Sequence, residues 1–394
     1  MNEKVVAPYE GGGRVLRVAL TVGVVGLVAT GIGIAVEPRQ TLFSYLVSLT
    51  YWLGLCLGAL FLLTIFHASN AKWPVVVRRM LERMAECCAV LALLFLPVLF
   101  GIKQLFLWTH EGLPAQIAKL LEEKRFYLNV PFFLVRAVLY FAIWIAVSWA
   151  LSRWSRRQDE VKDLALTVKQ RRLGSFSIPI LALSLTLAAV DWLMSLDPTW
   201  YSTIFGVYYF AGSFVSAIAL LILVTALSRG PNLYGSLVSP EHLHNLGKFL
   251  FAFVVFWAYI AFSQFMLIWI ANIPEEIPWY LLRAFGGWQP IGIALFFGHF
   301  ILPFFFLLSR ELKRNRRALA WVAAWILVFH YLDLYWVVMP VLHAAGPRPH
   351  WADLTAFLGI GGLAIGFAIW RMQGSYTVPV GDPYLLASLQ YRQP

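Results

Sequence analysis

A few ionisable side chains lie inside long apolar runs of the sequence, where charge is costly unless it is paired or used. His330 and Asp333 are three residues apart, so they share one face of a helix. A histidine beside a carboxylate can relay protons near neutral pH, because small environmental changes move the imidazole charge across that range. The same spacing suits a hydrogen-bonded pair that only locks two helices together, and both interpretations stay open.

Asp191 lies in another apolar run, and Arg136 lies at a similar depth in the run before it. Ser184 and Ser177 precede Asp191 at seven-residue spacing, which predicts a weakly polar stripe on one helical face. This stripe favours a proton path that leads to Asp191. The alternative is a purely structural ion pair between Asp191 and Arg136.

The histidine and cysteine patterns argue against a metal in this chain. His299 lies in a phenylalanine-rich run and is predicted to be a packed core residue. A bis-histidine haem between His299 and His330 is disfavoured, because the sequence lacks the paired histidines on the same helices that such a haem normally uses. Cys56, Cys87 and Cys88 have no CxxC, CxxCH or zinc spacing. We therefore expect no metal, iron–sulfur cluster or haem on this chain. The sequence has no Walker A, dinucleotide-binding or nucleophile–base motif, so no catalytic residue is assigned.

Membrane-spanning helices must position these residues. The chain has 394 residues, of which 60% are AVILMFWYC and only 13% are charged, which excludes a soluble globular or disordered protein. Crossing the bilayer takes about 20 apolar residues, and continuous rather than alternating runs predict helices. The ten predicted spans are 15–36, 43–67, 86–108, 130–152, 176–196, 203–228, 246–271, 288–308, 318–341 and 353–370.

The distribution of Lys and Arg predicts the orientation. Of these 31 residues, 23 lie on the face that carries both termini and the even-numbered loops, and six lie on the other face. Both termini should therefore be cytoplasmic, and the net charge of +11 indicates topology rather than nucleic-acid binding. Lys4, Arg14 and Arg17 precede a first span that we interpret as a retained helix. Glu82 and Glu86, among arginines, are expected in a solvated turn on the same face.

Four short sequence similarities, in the same order in the second to fifth and the sixth to ninth predicted spans, predict an internal repeat. Pro198 follows Asp191 by seven residues, and Pro340 follows Asp333 by the same interval. The shift is four helices, so the predicted repeats are parallel rather than inverted. The expected organisation is a single membrane domain, 1–394, with peripheral helices at 15–36 and 353–370, four-helix bundles at 43–196 and 203–341, and a cytoplasmic tail at 371–394.

Several long strings resemble a known family. DWLMSLDP at 191–198, QFMLIWIANIPEE at 264–276 and the tail from Gly381 to Leu389 resemble the polysulfide-reductase-like (NrfD-type) integral membrane subunits of bacterial alternative complex III. The likeness covers nearly the whole chain. Length and tail are more similar to the smaller of the two such subunits in that complex.

The resemblance implies ten helices with two four-helix bundles, in a subunit of a quinol:cytochrome c type oxidoreductase in the bacterial inner membrane. The implied partners are an iron–sulfur subunit, a sister NrfD-type subunit and cytochrome c subunits, which would hold the iron–sulfur clusters and haem c. A quinone such as menaquinone is the expected ligand, although the sister subunit is the better candidate for the productive quinol site. The candidates for a quinone-proximal site or proton path are Asp191, Asp333, His330, Arg136, His299, Ser184 and Ser177.

Three roles remain open for the chain itself. In the first, quinol would bind in the outer half of bundle 43–196 and Asp191 would take a proton. In the second, Asp191, Asp333 and His330 would form parts of a transmembrane proton path. Alternatively, the chain is a structural scaffold of the complex. A stand-alone secondary transporter is less favoured, because inverted repeats are missing.

Overall fold

A computed structural model describes residues 8–228 and 233–392, and 80% of it is helical. The described residues contain no strand, so the predicted all-α membrane fold is confirmed. Lys4 and Arg229, which enter the charge count, and the last two residues of the tail lie outside this description. The ten helices long and apolar enough to cross a membrane, called spans 1 to 10 below, are Gly13–Val36, Pro38–Ala68, Val75–Phe100, Val130–Val161, Leu164–Leu196, Phe205–Leu227, Pro240–Ala271, Gly286–Leu308, Arg316–Val341 and Trp351–Met372.

Two spans are interrupted, and short helices lie between others. Span 3 consists of the helices Val75–Glu86, Cys88–Leu93 and Leu96–Phe100. Span 8 consists of the helices Gln289–Leu295 and Leu302–Leu308, joined by a π-helical turn at Phe296–Ile301. The short helices outside the spans are Ile102–Leu105, Ala115–Glu123, Ile277–Ala284, Arg310–Arg314 and Leu385–Leu389.

The basic segment between spans 4 and 5 is helical, although the sequence predicted a loop there. Span 4 continues to Val161 and span 5 begins at Leu164, so only two residues connect them. Lys162 ends span 4 in the left-handed conformation, with φ 51°, and the Asp163 side chain accepts a hydrogen bond from the Ala165 amide to start span 5. Arg, Lys and Gln are good helix formers, so the helices extend beyond their apolar parts.

Span 2 lies at the centre of the molecule and is buried along its apolar length. It packs against spans 3, 5, 6 and 10, while span 6 packs against spans 7 and 9. Spans 1 and 10 pair with each other at the edge, where a Cβ on Gly26 would lie only 2.7 Å from the Gly359 Cα. Small residues at this crossing let the two backbones approach closely.

The face that carries both termini, called the terminal face below, holds a buried ionic network, and here the sequence prediction was wrong. Glu82 and Glu86 are buried rather than solvated. Arg79 donates to Glu82 at 3.0 Å, while Arg83 and Arg371 donate to Glu86 at 2.5 and 2.7 Å. Burial of these carboxylates is tolerated because each one is paired with a guanidinium.

The C-terminal tail folds back onto this network. Asp382 pairs with Arg78 at 2.5 Å, and the Ser388 hydroxyl donates to the Trp73 carbonyl at 2.7 Å. The His242 ring, at the start of span 7, lies 3.0 Å from the Ser388 carbonyl oxygen. The tail therefore contacts the starts of spans 3 and 7.

Candidate functional site

Arg136 and Asp191 form an ion pair between spans 4 and 5. Arg136 Nε and Nη2 donate to the two carboxylate oxygens at 2.7 and 2.8 Å, and the Tyr140 hydroxyl adds a third hydrogen bond at 2.9 Å. Asp191 has no exposed surface, and Arg136 is buried. Bidentate geometry makes this a strong pair, because both charges are compensated where no water reaches them.

Aromatic side chains fill the space around this pair. The Arg136 guanidinium lies over the Tyr127 ring at 3.9 Å and also donates to the Tyr127 carbonyl. Behind Asp191, the Trp144 indole donates to Ser184 at 3.0 Å, and Ser177 donates to its own helix at Gly174. The predicted serine stripe is therefore buried, but each serine hydroxyl is engaged within the protein.

Asp333 has a different environment, built from three helices. Tyr208 on span 6 donates a short hydrogen bond to one carboxylate oxygen, and Trp257 on span 7 donates to the other at 3.3 Å. His330 Nδ1 lies 3.7 Å from the second oxygen, and both side chains are buried. No Arg or Lys forms an ion pair with Asp333 within 8–228 and 233–392. Asp333 therefore accepts hydrogen bonds from neutral donors and has no Arg or Lys partner among these residues.

Two histidines lie next to this carboxylate with unused ring nitrogens. Neither nitrogen of His330 or His299 has a hydrogen-bond partner among the described residues. The two ring centroids are 6.1 Å apart, and the His299 ring packs on Trp257 at 4.0 Å. His299 lies in the π-helical turn of span 8, a distortion that is frequent at functional sites. The cluster Tyr208, Trp257, His299, His330 and Asp333 therefore joins four spans around one carboxylate.

A cavity of about 540 Å³ lies against this cluster, in the half of the protein away from the terminal face. Tyr208 and Trp257, the two donors to Asp333, form part of its wall. Phe262 and Phe296 also line it and are 60% and 54% exposed, so the cavity opens sideways between spans 7 and 8. The remaining lining residues are Ala258, Ala261, Gln264, Phe265, Tyr280, Arg283, Ala284, Gln289, Gly292, Ile293, Leu295, Phe300 and Trp336.

Arg283 is the cation of the cavity, and its side chain is buried. Its guanidinium donates to the carbonyls of Trp336, Trp279 and Val337 at 3.1, 2.9 and 2.6 Å, and it lies over the Trp279 ring at 3.6 Å. Burial lowers the pKa of Arg283 to about 9. Gln264 donates to the Tyr280 hydroxyl at 3.1 Å, and burial raises the pKa of this phenol.

A metal centre finds no support in the described ranges. They contain no group of three or more His, Cys, Asp or Glu side chains that could hold a metal ion. Cys56, Cys87 and Cys88 are buried and free.

The structure thus brings the sequence candidates together in two separate places. Asp191, Arg136, Ser184 and Ser177 meet in spans 4 and 5, and His299 joins His330 and Asp333 in the other half. No sequence argument selected Tyr208, Trp257, Arg283 or Trp336. A weak signal existed for Arg283, which follows Trp279 by four residues, the spacing of a helical cation–π pair.

No protein-family model and no curated protein sequence matches this chain.

Proposed function

We propose that this chain is a membrane subunit of a bacterial quinol-oxidising complex of the alternative complex III type, and that the cavity between spans 7 and 8 binds the quinol ring. The observation that carries this proposal is the double role of Tyr208 and Trp257. Both side chains line the cavity, and both donate hydrogen bonds to the buried carboxylate of Asp333. A quinol hydroxyl that hydrogen-bonds to Tyr208 would therefore be connected to the Asp333 carboxylate through this one side chain.

Quinol oxidation requires a route for protons, because each quinol loses two protons as its two electrons leave. The Tyr208 hydroxyl accepts a proton from a ring hydroxyl and passes its own to Asp333. The nearest further acceptor is His330, 3.7 Å from the carboxylate, whose ring nitrogens have no other described partner. Iron–sulfur clusters and haem c on partner subunits would receive the electrons, and a sister subunit of the same fold would belong to the same complex.

The shape of the cavity also suits a quinone. Its volume lies within the range of sites for small organic ligands, and most of its lining is apolar or aromatic. The opening between Phe262 and Phe296 faces the surface that would contact lipid, where an isoprenoid tail remains. Among quinones, menaquinone fits the family resemblance of the sequence. The complex would lie in the cytoplasmic membrane, with the terminal face inside.

This proposal places the quinol ring in bundle 203–341, whereas the hypothesis from the sequence placed it in bundle 43–196. One hypothesis from the sequence made Asp191 the proton acceptor, but both oxygens of Asp191 are occupied by Arg136 and Tyr140. Asp333 accepts hydrogen bonds from the neutral side chains of Tyr208 and Trp257, which also line the cavity, so Asp333 is the acceptor that we propose.

A transmembrane proton path is a second candidate function, supported by unpaired polar atoms near the terminal face. His67 Nε2, Arg83 Nε and Gln170 Oε1 are buried without hydrogen-bond partners among the described residues. Buried polar atoms of this kind commonly bind internal water. Water there would supply the inner half of such a path.

The proposal is tested with two matched tyrosine variants in the assembled complex. Tyr208→Phe removes the hydroxyl that donates to Asp333, and we expect quinol turnover to fall about a hundredfold or more, the usual contribution of a positioned acid–base group. Tyr140→Phe removes the corresponding hydrogen bond from Asp191 and should leave turnover within about twofold, since the bidentate pair with Arg136 still holds Asp191 and Tyr140 does not line the cavity. Equal, small effects of both changes would instead favour the scaffold role.

A further inference from the structure

Arg283 is a buried cation whose counter-ion is missing from its contacts. Its three hydrogen bonds go to backbone carbonyls, and it forms no ion pair within the described ranges. A guanidinium carries five N–H groups, so some donor capacity remains on the side chain that lines the cavity. A buried charge of this kind is costly unless an opposite charge compensates it.

No carboxylate within the described ranges forms an ion pair with Arg283. Asp197 acts on it electrostatically without contacting it, and its Oδ1 accepts hydrogen bonds from Thr199 at 2.6 and 3.1 Å. Tyr280 and Tyr208, the other titratable groups near Arg283, are phenols, which are neutral at physiological pH. The guanidinium therefore lines the cavity without an anionic partner in contact with it.

Two neighbouring donors point to the same kind of ligand atom. Trp336 lines the cavity, and its indole Nε1 is buried without a hydrogen-bond partner among the described residues, 3.7 Å from where a Cβ on the lining residue Gly292 would lie. An indole can only donate, and the Tyr280 hydroxyl, which accepts from Gln264, still has its own proton to donate. Arg283, Trp336 and Tyr280 thus form a donor set that fits an oxygen bearing negative charge.

We propose that Arg283 and Trp336 form an oxyanion-binding end of the cavity, so that the site prefers a ring ligand with an ionised oxygen over the same ring in its neutral form. The ligand class is a ring anion, such as a quinol that has lost one hydroxyl proton, and an acidic hydroxy-substituted quinone serves as its probe. This inference rests on the proposed function, because it specifies the ligand of that same cavity. Ionisation breaks the ring O–H bond, leaves the electron pair on oxygen and releases the proton to solution, with no change of oxidation state.

The test uses the full chain in phosphatidylcholine nanodiscs and a 2-hydroxy-3-alkyl-1,4-naphthoquinone, whose anion has its own visible absorption band. The pKa of the bound probe is read from this band during a pH titration. We expect it to be lower by about one unit or more in the wild type than in Arg283→Gln, as for an opposite charge within a few ångströms. One unit corresponds to a tenfold preference for the anion.

Further variants separate electrostatics from folding. Arg283→Lys keeps the charge and should retain most of the shift, while Trp336→Phe removes only the indole donor and should weaken anion binding several-fold with an intact fold. Arg125→Gln is the matched control, since this exposed arginine lies outside the cavity and pairs with Glu122. The 2-methoxy analogue of the probe, which cannot ionise, should bind the wild type and Arg283→Gln equally.

An unchanged pKa of the bound probe in Arg283→Gln would overturn the inference while leaving ring binding, and hence the proposed function, intact. Displacement of the probe by phosphatidylglycerol would also overturn it, because Arg283 would then serve a lipid phosphate. If neither the hydroxy nor the methoxy probe binds, the proposed function fails together with the inference.

Discussion

Arg136 donates two hydrogen bonds to Asp191, at 2.7 and 2.8 Å, and so joins spans 4 and 5 through a fully compensated charge pair. Asp333 occupies the corresponding position of the predicted repeat but receives its hydrogen bonds from Tyr208 and Trp257. Two carboxylates at similar positions therefore have different electrostatic roles. Asp191 is the counter-charge of a buried guanidinium, whereas no Arg or Lys within the described ranges forms an ion pair with Asp333.

Asp191→Asn should destabilise the protein rather than block ligand binding. The substitution leaves the Arg136 guanidinium buried without its counter-charge, which costs about 3–5 kcal/mol for a buried pair. Thermal unfolding in detergent, followed by circular dichroism, measures the loss. The double variant Arg136→Met with Asp191→Leu should recover most of it, since apolar replacement of both partners removes the unpaired charge. Wild-type stability of the single variant would contradict the structural role.

Asp333→Asn should keep ring binding but lower quinol turnover at least tenfold. The amide has nearly the shape of the carboxylate and can still accept a hydrogen bond from Tyr208, but it cannot take up a proton. Quenching of tryptophan fluorescence by a naphthoquinone measures binding to the purified chain, and steady-state assays of the complex measure turnover. Normal turnover with Asn at this position would show that the proton leaves by another route.

Filling the cavity should block ring binding. Gly292 lines it, and a Cβ there would meet Trp336 Nε1 at 3.7 Å, an ordinary contact. Gly292→Ala is therefore a tolerated control, whereas Gly292→Phe places an aromatic ring in the space of the ligand. We expect naphthoquinone affinity to fall at least tenfold in the Phe variant and to change little in the Ala variant. Equal affinity of both variants would place the ligand elsewhere.

The orientation of the chain is testable by cysteine labelling, because the three native cysteines are buried. Phe126, in the segment between spans 3 and 4, is 88% exposed, and Leu386, in the tail, is 59% exposed. An impermeant maleimide added outside intact cells should label Phe126→Cys but not Leu386→Cys. Leu386→Cys should react once the membrane is opened. Labelling of the tail in intact cells would reverse the predicted topology.

The docked tail should contribute to stability. Asp382→Ala removes the partner of Arg78, and we expect a loss of about 2 kcal/mol, less than for an isolated buried pair because Arg78 keeps Glu82 at 3.9 Å. Glu122→Ala removes an exposed partner from Arg125 and should cost about 1 kcal/mol or less. Chemical denaturation of both variants in the same detergent gives the comparison. Equal losses would mean that the tail packs without a stabilising ion pair.

The sequence by itself determined the all-α membrane fold and the ten spans. Whether a segment can cross the bilayer depends on the number of consecutive apolar residues in that segment, which is a local property of the sequence. It also selected His330 and Asp333, since helical spacing alone places both on one face. The start of span 3 was missed because Arg79, Glu82 and Arg83 resemble a solvated turn until their pairing is known. Charge composition does not reveal whether opposite charges will be buried together.

Only the tertiary structure decided which helices meet around Asp333. Tyr208 lies 125 residues from Asp333, and the cavity is formed by side chains of several spans and of the helix Ile277–Ala284. Apolar helices in lipid carry little sequence information about their neighbours, because packing between small and large side chains, rather than a polar pattern, selects the contacts. For the same reason, Arg283 counted in the sequence only as a loop charge on one face of the membrane, whereas the fold buries it beside the cavity.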